Sequence, residues 1–156
     1  MRSRAEETAL IEAMRAAVVA HGAKPRPFTP HETDSDAMLL YLRARNYNVS
    51  KALNQYLSTL EWHKEQSVDA LGQGSGADAL GGSVATMSKY VPHALYGRAR
   101  NGGPIIFKHM GANCRIKAAV VDEGFTLDGI ARYNIWLNEQ YVAVLAPARE
   151  WSVIID

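Results

Sequence analysis

The chain has 156 residues, with 17 Lys and Arg against 16 Asp and Glu and a net charge of +1. That suits one domain or two small ones, and it leaves no global field to draw the chain to nucleic acid or to an anionic surface. Cys114 is the only cysteine, so an internal disulfide is excluded and a reducing compartment is the simplest expectation. The basic start Met1-Arg2-Ser3-Arg4 leads into no apolar signal core, and Glu6, Glu7 and Glu12 are foreign to a transit peptide. No stretch approaches the roughly 20 apolar residues that a membrane span needs.

Residues 4–21 read as a helix, because Leu10, Met14 and Val18 recur at i+4 with Ile11 beside them. Gly22 stops it, and Pro25, Pro27 and Pro30 keep the next stretch extended. Thr33 or Asp34 can cap a second helix running to about Arg45, with Met38, Leu39 and Leu42 inward. Asn46 to Asn48 make a short turn. A third helix follows Ser50, with Leu53, Tyr56, Leu57 and Leu60 on one face and Trp62 near its end. Such short loops imply a compact helical unit over residues 1–66.

Residues 67–83 hold Gly72, Gly74, Gly76, Gly81 and Gly82 among Ser, Ala and Gln, and read as a flexible linker. Residues 84–156 then carry a mixed α/β pattern. A short helix or turn covers about 84–90, and strands surround Tyr96 and Ile105-Ile106-Phe107, with the tight-turn pair Asn101-Gly102 between them. Thr126 or Asp128 can start a helix through about Leu145, apolar on most of its circumference (Ile130, Tyr133, Leu137, Tyr141, Val144), and Pro147 ends it. Residues 151–155 form a β-rich run without alternation, as expected of a strand covered on both faces. The run stops at Asp156, so the chain reads as the first part of a longer protein.

Few residues suggest catalysis. Gly72-Gln73-Gly74-Ser75-Gly76 follows a helix and lacks a lysine at phosphate-loop spacing. His93, His109 and Cys114 match no zinc pattern, and Cys114 has no identifiable base, although Arg115 and Lys117 stand near it. Lys89, Arg98 and Arg100 beside the turn read as a solvated face rather than a headgroup contact. No catalytic residue, metal or cofactor is expected.

A series of short motifs, in order, resembles the CRAL-TRIO family of lipid-transfer proteins. The run Leu39 to Arg45, with Tyr47, Val49 and Glu61-Trp62-His63-Lys64, is similar to the family's N-terminal helical signature. Tyr90-Val91-Pro92-His93, Asn101-Gly102-Gly103-Pro104-Ile105, Arg132-Tyr133-Asn134-Ile135-Trp136 with Glu139, and Val153-Ile154-Ile155-Asp156 resemble successive pieces of its lipid-binding domain. The resemblance covers about residues 33–156. It implies an N-terminal helical module followed by the first half of a mixed α/β lipid-binding domain, which in the family encloses one lipid in an apolar cavity.

Four site residues follow from the resemblance. Arg45 matches an arginine near the inositol phosphate in phosphatidylinositol-binding members, with Asn46 where lysine is common. Leu95, Ile106 and Asn138 match positions where tyrosines contact phosphatidylcholine, and none is tyrosine here. The resemblance therefore points to a phospholipid ligand, phosphatidylinositol before phosphatidylcholine. The helix at 130–145 and the Ile105–Phe107 strand would form cavity walls. It also implies a monomer that is cytoplasmic and peripheral at membranes, touches a membrane surface transiently, binds no nucleic acid and catalyses no reaction. The alternative is a regulatory lipid-sensing module of a larger protein, without net transfer. For Arg45 itself a plainer role is available, since a cation at a helix C-terminus meets the helix dipole favourably.

Overall fold

The computed structural model describes residues 3–29, 31–108, 111, 115–144 and 152–155. The chain divides into two compact units, Met1–Glu65 and Gln66–Asp156.

The first unit holds α1 (Arg4–Ala20), α2 (Asp34–Ala44) and α3 (Val49–Glu65). Two capping boxes start its helices. Ser3 Oγ accepts from the Glu6 N–H while the Glu6 carboxylate accepts from the Ser3 N–H, and Thr33 and Asp36 repeat the arrangement. Thr33, not Asp34, is therefore the cap of α2. The core is Met14, Val18, Ala37, Met38, Leu42, Ala52, Leu53 and Tyr56. Leu39, expected inward, is only half-buried, and Ala37 takes the inner place. The Tyr56 hydroxyl accepts from the Arg26 N–H and donates to the Arg26 carbonyl, both at 2.9 Å, which pins the proline-rich stretch to α3.

The turn between α2 and α3 puts Asn46 and Tyr47 at φ +51° and +61°. A left-handed backbone is unusual for an aromatic residue. It is held here from both ends: the Tyr47 N–H donates to the Leu42 carbonyl at 2.6 Å, and its hydroxyl donates to Glu7, which also receives Arg43. Arg15 bridges α1 to the start of α2 through Asp34 and Ser35.

The second unit runs α4 (Val68–Gln73), α5 (Gly76–Leu80), α6 (Val84–Tyr90), β1 (His93–Arg98), β2 (Pro104–Lys108), α7 (Ile116–Glu123), α8 (Leu127–Ala143) and β3 (Ser152–Ile155). The strand order is β1-β2-β3, antiparallel then parallel, with α7 and α8 inside the β2-to-β3 crossover. The core gathers Leu80, Met87, Ile106, Ala119, Phe125, Ile130, Tyr133, Leu137 and Tyr141.

The structure corrects the expected linker at 67–83. The segment forms α4 and α5, both packed on α8, and buries Val68, Leu71, Ala79 and Leu80. Gly76 and Gly82 serve close approach, whereas Gly81 ends α5 at φ +72°. A Cβ on Gly76 would lie 2.7 Å from the Trp136 ring, and one on Gly82 would lie 2.6 Å from Phe125. The Trp136 indole N–H donates to the Gly74 carbonyl, and the Gln140 amide donates to the Gly72 carbonyl. Ser75 and Ser83, read as linker polarity, cap α5 and α6.

Other elements depart less. α7 was not anticipated. α8 is capped by Thr126, whose hydroxyl accepts from the Gly129 N–H at 2.9 Å. β3 is not covered on both faces: Ser152–Ile155 are all exposed, and among the described residues the strand pairs only with β2. Trp151, Asp156, Leu145 and Pro147, with Pro30, His109 and Cys114, lie outside the described residues.

Candidate functional site

Register decides which side chains meet. Residues directly opposite in a ladder share a face of the sheet. His93 pairs with Lys108, Leu95 with Ile106, Ile106 with Val153, and Lys108 with Ile155. These residues therefore stand on one face, and Ile106 packs there in the core with α8 residues. A bulge between Leu95 and Arg98, with Gly97 at φ +113°, turns the end of β1. It brings the Arg98 guanidinium to the Gly102 and Val144 carbonyls, at 2.7 and 3.1 Å. Arg98 thus secures the hairpin and the last turn of α8.

Beside this face lies a cavity of about 270 Å³ lined by Met87, Val91, Pro92, His93, Lys108, Tyr133, Asn134, Leu137, Val153 and Ile155. Apolar side chains dominate its wall, and the polar groups are fixed. The His93 Nδ1 lies 3.0 Å from the Val91 carbonyl, which can only accept, so Nδ1–H donates and Nε2 accepts from the Tyr133 hydroxyl at 3.2 Å. The Asn134 amide donates to the Ile130 carbonyl. Lys108 Nζ donates to Asn138 Oδ1 at 3.4 Å and stands 5.8 Å from the centre of the Tyr141 ring. The Tyr141 hydroxyl is buried without a hydrogen-bond partner among the described residues, and burial pushes its pKa up to about 12. Burial also raises the pKa of Tyr133.

The residues expected at the site are distributed as follows. Leu95 and Ile106 are cross-strand partners, and Asn138 holds Lys108 on that same face. Leu95 is exposed, whereas Ile106 is closed into the core at 1% exposure, so neither lines the cavity wall. Arg45 belongs to the first unit. It is the C-cap residue of α2, and its Nε donates to Gln55 Oε1 at 2.8 Å. Gln55 in turn borders a shallow groove of about 320 Å³ with Phe28, Leu40, Tyr41 and Ala44. Sequence reasoning missed Lys108, Met87 and His93 as cavity residues. The period-2 position of Lys108 beside Ile106 was the available signal, but its partner on α8 is 30 residues away. Among the described residues, no group of three or more His, Cys, Asp or Glu can hold a metal, and no helix is long and apolar enough to cross a membrane.

No family model matches the chain. Curated proteins do. The phosphatidylinositol/phosphatidylcholine transfer protein SFH9 of Arabidopsis thaliana is 27% identical over 143 residues, 92% of this chain and 23% of the relative. Protein real-time of Anopheles gambiae is 29% identical over 142 residues, 87% of this chain and 19% of the relative. The SEC14 cytosolic factor of Candida glabrata is 25% identical over 144 residues, 92% of this chain and 43% of the relative. The chain thus spans less than half the length of these relatives. The mixed helical architecture with its small sheet is consistent with an N-terminal helical part and part of an α/β CRAL-TRIO domain. The chain is thus similar, at low identity and over some nine-tenths of its length, to several Sec14/CRAL-TRIO proteins.

Proposed function

We propose that this chain is the part of a phospholipid-binding protein that begins the lipid cavity, and that the whole protein exchanges its lipid between membranes or presents it to other proteins. The observation that carries the reading is the apolar cavity between the sheet and α6 and α8, walled by Met87, Val91, Leu137, Val153 and Ile155. Relatives named as phosphatidylinositol/phosphatidylcholine transfer proteins support it. At about 270 Å³ the cavity is slightly smaller than the ~300–1,000 Å³ of ordinary small-molecule sites, so it takes one portion of a phospholipid.

The physical need is simple. Each CH₂ kept from water is worth about 0.8 kcal/mol, so a bare acyl chain crossing water meets a barrier on the order of 10 kcal/mol. A protein that lines the path with apolar side chains removes that barrier without covalent chemistry. In this reading the protein is a cytoplasmic monomer that meets membranes transiently. Leu95, Ile106 and Asn138 stand beside the cavity and back its sheet-and-helix wall, and Arg45 contacts the phosphate of an inositol lipid. The test is mass spectrometry of lipids that co-purify with the protein, together with lipid transfer between vesicles, for the natural form and for Arg45→Ala. A stoichiometric phospholipid with inositol lipid lost in the variant is expected. The same lipids in both would reduce Arg45 to the partner of Gln55 at the end of α2. No lipid in either would overturn the reading.

A further inference from the structure

The end of α2 carries two arginines that are held in different ways. Arg43 gives its Nε and Nη2 to the Glu7 carboxylate on α1, so its charge is met by an opposite one. Arg45 gives its Nε to Gln55 Oε1 on α3 at 2.8 Å. The first unit is described from Ser3 to Glu65 apart from Pro30, and among these residues the partner of Arg45 is that neutral amide and not a carboxylate.

The backbone that carries Arg45 is fixed as well. Its N–H donates to the Tyr41 carbonyl at 3.1 Å, and its carbonyl accepts from the Asn48 N–H at 3.0 Å. The two residues that follow are left-handed, Asn46 at φ +51° and Tyr47 at φ +61°. Such a backbone is unfavourable for tyrosine and persists only where its surroundings enforce it. Leu42 and Glu7 do so here, by accepting from the Tyr47 N–H and hydroxyl. With both Cα and Nε held, the part of Arg45 left to act is its end-on pair, Nη1 and Nη2, a fork that matches two oxygens of a phosphate. An amide orients that fork without cancelling its charge, whereas a carboxylate in the same place would do both.

We infer that Gln55 is a positioning residue for Arg45, which it aims, still charged, at the headgroup phosphate. The inference rests on the lipid-binding reading above, in which Arg45 meets the phosphate of an inositol lipid. Without Gln55 a flexible side chain must be ordered each time a lipid binds.

The experiment offers the protein vesicles holding equal amounts of phosphatidylinositol and phosphatidylcholine, and measures the bound lipids by mass spectrometry. It compares the natural form, Gln55→Met, Arg45→Ala and the double variant. Methionine has the length and helix propensity of glutamine but no amide acceptor. Gln55→Met is expected to lower the ratio of bound phosphatidylinositol to phosphatidylcholine about two- to tenfold. Total bound lipid is expected to hold, which also shows that the variant folds. Added to Arg45→Ala, it is expected to lower the ratio no further, because the group it positions is gone. An unchanged ratio in Gln55→Met, an equal further loss on the Arg45→Ala background, or a fall in total lipid with it would overturn the positioning role and leave the reading of Arg45 standing. An unchanged ratio in Arg45→Ala would overturn that reading and the inference with it. No lipid in any form would overturn lipid binding altogether.

Discussion

Gly129→Ala tests the packing of α5 on α8. Gly129 stands in the first turn of α8, and a Cβ there would lie 2.4 Å from the Leu80 carbonyl oxygen and 3.0 Å from Thr126 Oγ1. Both contacts are far inside van der Waals distance, and the nearer one is to backbone, so no side-chain rotation relieves it. Alanine gains up to ~1 kcal/mol in helix propensity over glycine. Overpacking of a close-packed contact typically costs about 1–3 kcal/mol, and a backbone clash belongs at the upper end. The net expectation is a loss of roughly 1–2 kcal/mol, a fall in Tm of about 4–16 °C for a unit of this size. The assay is thermal and urea unfolding of the protein beside Gly72→Ala. There the added Cβ meets the Glu139 Cβ and Cγ at 3.2 and 3.3 Å, a crowding of a few tenths of an ångström that alanine's gain in helix propensity offsets. Gly72→Ala should stay within about 0.5 kcal/mol of the natural protein. A Gly129→Ala protein as stable as Gly72→Ala would refute the close approach of α5 to α8 and restore residues 67–83 as a linker.

Three further outcomes are expected. Thr33→Ala should destabilise the first unit by about 1 kcal/mol in urea unfolding, since it leaves the Asp36 N–H uncapped. Tyr56→Phe should cost roughly 1–3 kcal/mol, because the Arg26 N–H and carbonyl both lose their partner, and hydrogen exchange at Arg26 should accelerate. The Arg15 guanidinium holds the Asp34 carboxyl below its ordinary value of 3.8. A lowered folded-state pKa adds stability above the unfolded value, and that stability is lost as pH falls through the lowered one. Unfolding followed from pH 6 downward should therefore show an acid limb below about pH 4 that is shallower in Asp34→Asn; identical limbs would rule out the pair as its source.

The helices with regular apolar spacing were legible in the sequence. Met14 and Val18 on α1, and Tyr133, Leu137 and Tyr141 on α8, are buried as their periodicity requires, because a 3.6-residue repeat faces one side whatever the partner is. Thr33 and Thr126 act as caps by local chemistry alone, and Asn101-Gly102 forms its turn with Gly102 at φ +81°. Gly72, Gly76 and Gly82 were misread because their role depends on Glu139, Trp136 and Phe125, which lie more than 40 residues away. Local propensity scores a glycine as freedom, and only a neighbour turns it into contact. Arg98 likewise looked like solvated charge until the bulge at Gly97 aimed it at the end of α8. The site shows the same division. Leu95, Ile106 and Asn138 came from linear resemblance; strand register sets Leu95 opposite Ile106, and Asn138 reaches that face from α8 through Lys108. For Lys108 the only linear signal is its period-2 position beside Ile106. Its place at the cavity wall follows from β2 being framed by β1 and β3. Periodicity and capping are short-range and can be read along the chain, whereas the charge balance of a cavity sums over elements that only the tertiary fold brings together.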